Sequence, residues 1–229
     1  MTNRSSRVTR ATRPERLSYQ PWRGFACVWG ALSLLACPVW SLRAAQTTAA
    51  VEPSFAGLEL EIVAEVNRLR TDPKAYATKL KARRPLDHGH DTLEETQEGW
   101  PALEEAISAL QSTHRMGALS ISKSLARAAR DHVTNQGPSG QVGHNDTDGR
   151  NPSARVGRYT PGRSSLAENI SYGRWTAEDL VLYELVDEEV RDRGHRKNLL
   201  NRDFHNIGVA CGKHARYGIM CVLDFATEF

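Results

Sequence analysis

Residues 207–225 of this 229-residue chain read IGVACGKHARYGIMCVLDF, two apolar runs on either side of a turn rich in glycine and charge. The runs over residues 207–211 and 219–225 are short, rich in branched apolar residues and bounded by glycine, which is typical of buried β-strands. The stretch therefore predicts a β-hairpin near the end of the chain.

Two cysteines, Cys211 and Cys221, flank this turn. Cross-strand neighbours of a hairpin can meet the geometry of a disulfide. In an oxidising compartment the sequence favours a Cys211–Cys221 bridge, and the alternative is a pair of buried free thiols. The remaining cysteines, Cys27 and Cys37, lie in an apolar run near the N-terminus.

Apolar residues at helical spacing precede the hairpin. The first such set is Leu58, Ile62, Val66 and Leu69. Its helix should end near Pro73, because proline disfavours helix in the residue before it. Further helices are predicted over residues 73–81, around residues 103–110, after Ser120 or Ser122, from Asn151-Pro152 through Arg155, and from Thr176 to before Gly194. Helices early and a hairpin late predict an α+β domain.

The composition is that of a soluble globular protein, with 40% hydrophobic and 25% charged residues. The formal net charge of +3 is unevenly spread. Residues 1–45 hold seven arginines and one acid, whereas residues 46–229 hold 23 basic and 26 acidic side chains. The folded part is mildly acidic, so the sequence pI near 8.7 does not indicate nucleic-acid binding.

The N-terminal segment has the organisation of an export signal. Arginines at every third position from Arg4 to Arg16 precede an apolar run over residues 25–40, which is too short for a comfortable membrane span. The sequence predicts a signal peptide or signal anchor over residues 1–45, a linker over residues 46–56 and one domain over residues 57–229.

Cleavage after Ala44 would release an extracytoplasmic protein, either secreted or periplasmic. The alternatives are lipidation at Cys37, an uncleaved signal anchor and a disordered basic tail. The first two would give a membrane-anchored form, attached only through the N-terminal segment.

Three short segments carry the candidate chemistry. They are residues 143–149 (GHNDTDG), 167–170 (AENI) and 194–198 (GHRKN), and they contain His144, Glu168 and His195. Two imidazoles and a carboxylate are a minimal ligand set for a divalent metal, with one position left for water. The same groups suit acid–base chemistry.

The order of these segments resembles the CAP (SCP) domain of cysteine-rich secretory proteins, antigen 5 and pathogenesis-related 1 proteins. The resemblance covers roughly residues 58–225 and includes Asn67-Arg68-Leu69-Arg70 before the three segments and residues 207–212 after them. The Arg-Gly-His-Arg sequence at residues 193–196 and the small number of cysteines resemble the bacterial branch.

The resemblance implies a three-layer α-β-α sandwich with a central antiparallel sheet and a cleft lined by two histidines and two acids. It assigns the histidines to His144 and His195 and the first acid to Glu168. Asp187 falls at the second acid's position and Glu184 lies one turn earlier, on a helix that lacks the tryptophan often found there. The resemblance also implies that the histidines are the ligands of a weakly bound metal, Zn or Ca, with the acids mostly outside the first shell.

The favoured function is an exported, non-enzymatic binding protein whose cleft holds a divalent metal and a small apolar, lipid-like or sterol-like ligand, or meets an extracellular protein. One alternative is a metal-dependent hydrolase, a peptidase or esterase, with Glu168 as the catalytic candidate. A second is a structural or adhesive surface protein with a vestigial cleft. No nucleophile is evident, because Ser164, Ser165 and Ser171 are interpreted as turn residues.

Several other polar residues are expected to be structural. Asp146 and Asp148 are interpreted as turn formers, because a calcium loop would need a later bidentate glutamate. The pair His88 and His90 is expected in a solvated loop. The other histidines, His114, His132, His205 and His214, are expected to be structural or exposed, and Tyr159, Tyr172 and Trp175 are candidates for the cleft wall.

Overall fold

The computed structural model describes residues 54–82, 98–159 and 164–228. These residues belong to one compact unit, Ala50–Phe229. The predicted signal, its cleavage and lipidation sites, and the loop with His88 and His90 lie outside the described residues. Within the described ranges, no helix is both long enough and apolar enough to cross a membrane.

The described residues form seven α-helices and four β-strands. The helices are α1 Ala56–Thr71, α2 Pro73–Ala82, α3 Trp100–Ser112, α4 Lys123–Gln136, α5 Pro152–Val156, α6 Ala177–Val186 and α7 Gly194–Leu199. The strands are β1 Ser120–Ile121, β2 Leu166–Tyr172, β3 Asn206–His214 and β4 Gly218–Ala226, and a short 3₁₀ turn at Gly137–Ser139 follows α4.

The predicted helix starts are confirmed by their caps. The Ser122 side chain accepts a hydrogen bond from the Leu125 backbone N–H at 3.3 Å. Asn151 caps α5 in the same way at 2.9 Å, and Thr176 caps α6 at 3.1 Å. Each side chain satisfies a backbone donor that has no partner within its own helix.

The sheet has the strand order β1-β3-β4-β2. The predicted hairpin is confirmed, because β3 and β4 pair antiparallel with Cys211 directly opposite Cys221. These two cysteines form the expected disulfide. The sheet is antiparallel except for β1, which pairs parallel to β3 over two residues.

The layers follow from the alternation of side chains along β3 and β4. On one face Val209 and Leu223 share a core with helices α1, α2, α3 and α6. On the other face Ala210 and Val222 pack against Ala129 of α4. The α-β-α sandwich is thereby confirmed.

Two glycines allow α4 to lie directly on β3. A Cβ at Gly208 would lie 2.1 Å from the Ala126 backbone nitrogen, and one at Gly212 would lie 2.4 Å from Cγ1 of Val133. Any side chain at these positions would push the helix off the sheet. The glycines of the β3 sequence are therefore required for packing.

The Asn67-Arg68-Leu69-Arg70 segment on α1 is structural. Asn67 makes two hydrogen bonds with the backbone of Leu119, at 3.0 and 2.7 Å. The buried Arg70 guanidinium donates to the carbonyls of Leu199 and Phe204 at 2.9 and 3.0 Å. Both residues tie α1 to loops that lead into or out of the sheet.

Strand β2 was not predicted from the sequence. It contains Glu168, Asn169 and Ser171 among its seven residues, a composition unlike that of a typical buried strand. It forms an edge of the sheet and pairs with β4 along its whole length. Because successive strand residues point to opposite faces, Glu168 and Asn169 serve different layers.

Candidate functional site

His144 lies in the loop between α4 and α5 and is oriented by Glu168 of β2. The Nδ1 atom of His144 lies 2.8 Å from Oε1 of Glu168. The His144 side chain is 52% exposed, whereas that of Glu168 is 1% exposed. The buried Glu168 carboxylate therefore orients the His144 imidazole from its protein side, while the rest of the ring is open to solvent.

The buried Arg155 guanidinium of α5 fixes both partners. It donates to the second Glu168 oxygen, to the carbonyl of His144 at 2.9 Å and to Asp146 at 3.2 Å. Burial favours the neutral form of the Glu168 carboxyl, but the hydrogen bond with His144 and the charge of Arg155 outweigh it and keep the pKa of Glu168 below its ordinary value. Glu168 is thus an ionised carboxylate with both oxygens engaged.

Asp146 has a larger role than the predicted turn former. Its carbonyl does close a turn, accepting from the Gly149 N–H at 2.8 Å. Its side chain, however, is buried and lies 2.7 Å from Nδ1 of His132, besides its contact with Arg155. His132 is structural, as expected. A buried charged network therefore supports the loop that carries His144.

A second carboxyl, Asp224 of β4, lies opposite Glu168 in the sheet register. Burial raises the pKa of Asp224 well above its usual value, and the charge of Glu168 raises it further. The favoured arrangement has the proton on Asp224 and the negative charge on Glu168. Asp224 therefore lies behind the His144 pair with its charged form disfavoured.

His195 opens helix α7 and is oriented by Asp187, which ends α6. Its Nδ1 atom lies 2.7 Å from Oδ1 of Asp187. The other Asp187 oxygen accepts from the backbone N–H groups of His195 at 2.8 Å and Arg196 at 3.2 Å. The hydrogen bond with Asp187 raises the pKa of His195, against the lowering effect of its own burial.

Asp187 reaches His195 because its backbone adopts the left-handed conformation, with φ 54° and ψ 46°. Such a conformation is unfavourable for a residue other than glycine and must be held by its surroundings. Arg193 donates to the Asp187 carbonyl at 2.8 Å, and Arg196 donates to the carbonyls of Leu185 and Val186 at 2.6 Å. These contacts fix the end of α6 where the carboxylate meets the imidazole.

Glu184 makes no hydrogen bond to either cleft histidine. It is fully buried, and its Oε2 accepts from Asn169 at 2.9 Å. Burial raises the pKa of Glu184 to about 7. Asn169 also donates to the His195 carbonyl at 3.2 Å, so Glu184 supports His195 through the AENI asparagine, whereas Asp187 contacts the imidazole directly.

The two histidines line one cavity of about 730 Å³ at the edge of the sheet. Its other lining residues are Val142, Gly143, Ile170, Tyr172, Gly173, Arg174, Tyr183 and Tyr217. Each Nδ1 is engaged with a buried carboxylate. In a neutral imidazole that donates from Nδ1, Nε2 carries the free lone pair.

The three aromatic candidates for the cleft wall take different positions. Tyr172 lines the cleft, and its hydroxyl donates to Gln136 at 2.7 Å. Tyr159 packs beside the core formed by Leu125 and its neighbours, away from the cleft. Trp175 is 62% exposed and lines a separate cavity. Only the first of the three therefore contributes to the cleft wall.

The roles of four residues were not predicted from the sequence: Arg155, Asn169, Arg174 and Asp224. Asp224 did leave a signal, because a lone carboxyl inside the run IMCVLDF is rare in a buried strand without a partner. There was no such sequence signal for Arg155, because an arginine on a five-residue helix is ordinarily exposed. Its partners come from segments that only the fold brings together.

Comparison with known protein families agrees with this architecture. The model of the cysteine-rich secretory protein family, CAP, matches residues 63–225. The chain belongs to the CAP family. No curated protein matched significantly.

Three solved structures are similar to this chain, and the first of them supports the fold. An outer surface protein from Borrelia burgdorferi aligns with a TM-score of 0.51 and 16% identity, covering 78% of this chain and 98% of that one. An extracellular protein containing an SCP domain from Bacillus anthracis gives a TM-score of 0.41 and 21% identity over 55% of this chain and 38% of that one. A cysteine-rich secretory protein from Staphylococcus aureus gives 0.38 and 17%, over 56% and 38%.

The donor groups of the cleft are few for a metal ion. Among residues 54–82, 98–159 and 164–228, no group of three or more histidine, cysteine, aspartate or glutamate side chains is arranged to hold one. The protein thus offers two imidazole nitrogens, while Glu168 and Asp187 are occupied as their outer partners.

Proposed function

We propose that this CAP-family chain is an exported binding protein whose cleft recognises its ligand through His144 and His195. One observation carries the proposal. Each imidazole has its Nδ1 against a buried carboxylate, at 2.8 and 2.7 Å, and both rings line the same cavity. The two histidine–carboxylate pairs are formed by different segments of the chain, yet both line the same cavity. This arrangement favours one ligand that contacts both imidazoles.

A divalent metal is one ligand that such a pair suits. Imidazole nitrogens favour zinc, whereas calcium prefers oxygen ligands. Two protein ligands would give a weak site that keeps water or accepts an oxygen of a second ligand. When bound, the metal would supply a positive centre in the cleft, and Glu168 and Asp187 would keep each ring in the tautomer that binds it.

The proposed apolar ligand has a second cavity beside the cleft. This cavity, of about 540 Å³, is lined by Phe55, Pro138, Trp175, His214 and Gly218, among others. Residues adjacent in sequence line the two spaces: Tyr217 faces the cleft and Gly218 faces the second cavity. A lipid-like or sterol-like molecule, or an apolar side chain of an extracellular protein, could occupy the second cavity while its polar end meets the histidines.

Binding is favoured over hydrolysis. Glu168 has both oxygens engaged by His144 and Arg155, which suits an orienting carboxylate better than a catalytic base. No serine or cysteine lines the cleft in the described part of the chain. The extracytoplasmic location belongs to the proposal and is supported by the disulfide, which persists in oxidising compartments.

Zinc titration by isothermal calorimetry tests the proposal. We expect the purified chain to bind one zinc ion and the substitutions His144→Ala and His195→Ala each to abolish that binding. The matched control is His114→Ala, which removes an exposed histidine outside the cleft. Zinc affinity that is unchanged in both cleft variants would refute the proposal.

A further inference from the structure

Arg174 lines the cleft, yet it has no hydrogen bond or ion pair with any described residue. Its buried Nε atom lacks a hydrogen-bond partner. Its guanidinium lies over the Tyr183 ring, whose centroid is 4.3 Å from Cζ. A buried donor without a partner is unfavourable, because it has given up its hydrogen bonds to water.

The other described arginines that are at least half buried, including Arg70 and Arg150, all have hydrogen bonds or ion pairs, although the Nε atom of Arg155 also lacks a partner. Arg155 and Arg196 are buried and each donates to carbonyls and to a carboxylate. Arg193 pairs with Glu105 and Glu98. Arg174 thus differs from them in lining the cleft without a hydrogen bond or ion pair to any described residue.

No carboxylate is among the described residues that line the cleft, although acidic side chains lie behind and beside it. The two carboxylates of the site lie behind the histidines and are already engaged, Glu168 by Arg155 and Asp187 by backbone N–H groups and His195. Three acidic residues, Asp187, Glu188 and Glu189, influence Tyr183 electrostatically. None of them forms an ion pair with Arg174 in the described part of the chain. The polar groups that line the cleft include a guanidinium and two imidazoles.

We propose that Arg174 recognises an oxyanion, a carboxylate or a phosphate, on the molecule that binds in the cleft. A guanidinium presents a planar pair of donors that matches two oxygens of either group. The aliphatic and aromatic parts of the wall, Val142, Ile170, Tyr172 and Tyr217, would contact the body of the ligand. The ligand class is therefore a small organic acid with an apolar or aromatic body. This inference rests on the proposed function, because it takes the same cleft as the binding site.

The test compares three phenyl compounds on the metal-free chain, kept in chelator and titrated by NMR. The probes are 3-phenylpropionate, phenyl phosphate and the neutral 3-phenylpropanol. We expect one acid to bind at least about tenfold more tightly than the alcohol, because charge-assisted hydrogen bonds exceed neutral ones. The preferred acid identifies the oxyanion as carboxylate or phosphate.

Substitution of Arg174 provides the second part of the test. Arg174→Gln should weaken the preferred acid by about tenfold or more, and Arg174→Lys should give an intermediate loss, because an ammonium keeps the charge without the planar fork. The control is Arg216→Gln. Arg216 stacks on the cleft residue Tyr217 with Cζ at 5.0 Å from the ring, but it does not line the cleft. This control should leave acid binding unchanged.

The outcomes separate this inference from the proposed function. Equal binding of acid and alcohol, failure of both acids to bind, or unchanged acid binding by Arg174→Gln would overturn the role of Arg174. Zinc binding by Arg174→Gln should match that of the unchanged chain, which also shows that the variant is folded. If the unchanged chain binds an acid through Arg174 but no zinc, the metal proposal fails and the oxyanion inference stands.

Discussion

Replacing Asp187 by asparagine tests how the cleft is built. The aspartate accepts at three positions, from His195 Nδ1 at 2.7 Å and from the N–H groups of His195 and Arg196 at 2.8 and 3.2 Å. An asparagine has one accepting oxygen. If that oxygen serves the two N–H groups, the amide NH₂ faces His195 Nδ1, which must then become an acceptor.

The consequence is a change of tautomer. With Nδ1 as the acceptor, a neutral His195 carries its proton on Nε2 and can no longer present a lone pair to the cavity. We expect zinc affinity to fall by about 10- to 100-fold, the usual effect of losing the outer partner of a ligating histidine. Loss of charged hydrogen bonds from a buried position should also destabilise the fold by about 2 kcal/mol.

The pH dependence of stability should change in a defined direction. The folded-state pKa of His195 lies above its unfolded value, with the hydrogen bond to Asp187 as the main cause. Its stabilising contribution is therefore fully present below the unfolded pKa and is lost as pH rises through the folded pKa. In Asp187→Asn the His195 pKa should fall and this part of the pH dependence should shrink.

Imidazole ¹⁵N NMR gives the tautomer and the pKa, and calorimetry gives the zinc affinity. The matched control is Glu189→Gly, because Glu189 is exposed and also has a positive φ of 62°. Glycine there should relieve backbone strain without altering His195. The reasoning would be refuted by an Asp187→Asn protein whose His195 keeps both its pKa and its Nδ1–H tautomer.

Three further predictions concern stability. Replacing both Cys211 and Cys221 by serine should lower the free energy of unfolding by about 2–3 kcal/mol, since the bridge closes a short loop with a sequence separation of 10. Denaturant unfolding measures this loss, and reduction of the unchanged chain should give the same value. Because the pKa of Glu184 is raised to about 7, its contribution to stability should fall by roughly 3 kcal/mol as pH rises from about 4.5 to 7. Glu184→Gln should remove that part of the pH dependence and leave the parts due to Asp224 and His195, whose pKa values are also raised. A pH dependence that is unchanged in Glu184→Gln would contradict the assignment. Gly208→Val should lower the melting temperature strongly, because its Cβ would lie 2.1 Å from the Ala126 nitrogen, whereas a substitution at Gly117, which has open space around it, should have little effect.

The parts of the fold that follow from local chemistry could be predicted from the sequence. The hairpin, the caps at Ser122, Asn151 and Thr176, and the end of α1 before Pro73 each depend on a few neighbouring residues. Strand β2 could not be predicted, because its polar residues are stabilised by partners far along the chain. Pairing with β4 makes it a strand in spite of its composition.

The candidate site also has a part that could be predicted from the sequence and a part that could not. The family resemblance placed His144, Glu168, Asp187 and His195, and the structure sets them in two histidine–carboxylate pairs at one cavity. The resemblance could not show which acid contacts His195, since this depends on the left-handed backbone at Asp187. Nor could it show the support from Arg155, whose partners Asp146 and Glu168 meet only in the folded chain.

The central claim is that His144 and His195 present their Nε2 atoms to one shared ligand. The most direct test follows the imidazole nitrogens by long-range ¹H–¹⁵N NMR while one equivalent of Zn²⁺ is added. We predict that the Nε2 signals of His144 and His195 shift together, that both Nδ1 atoms stay protonated, and that His114 is unaffected. A shift of only one cleft histidine, or coordination through Nδ1, would contradict the claim.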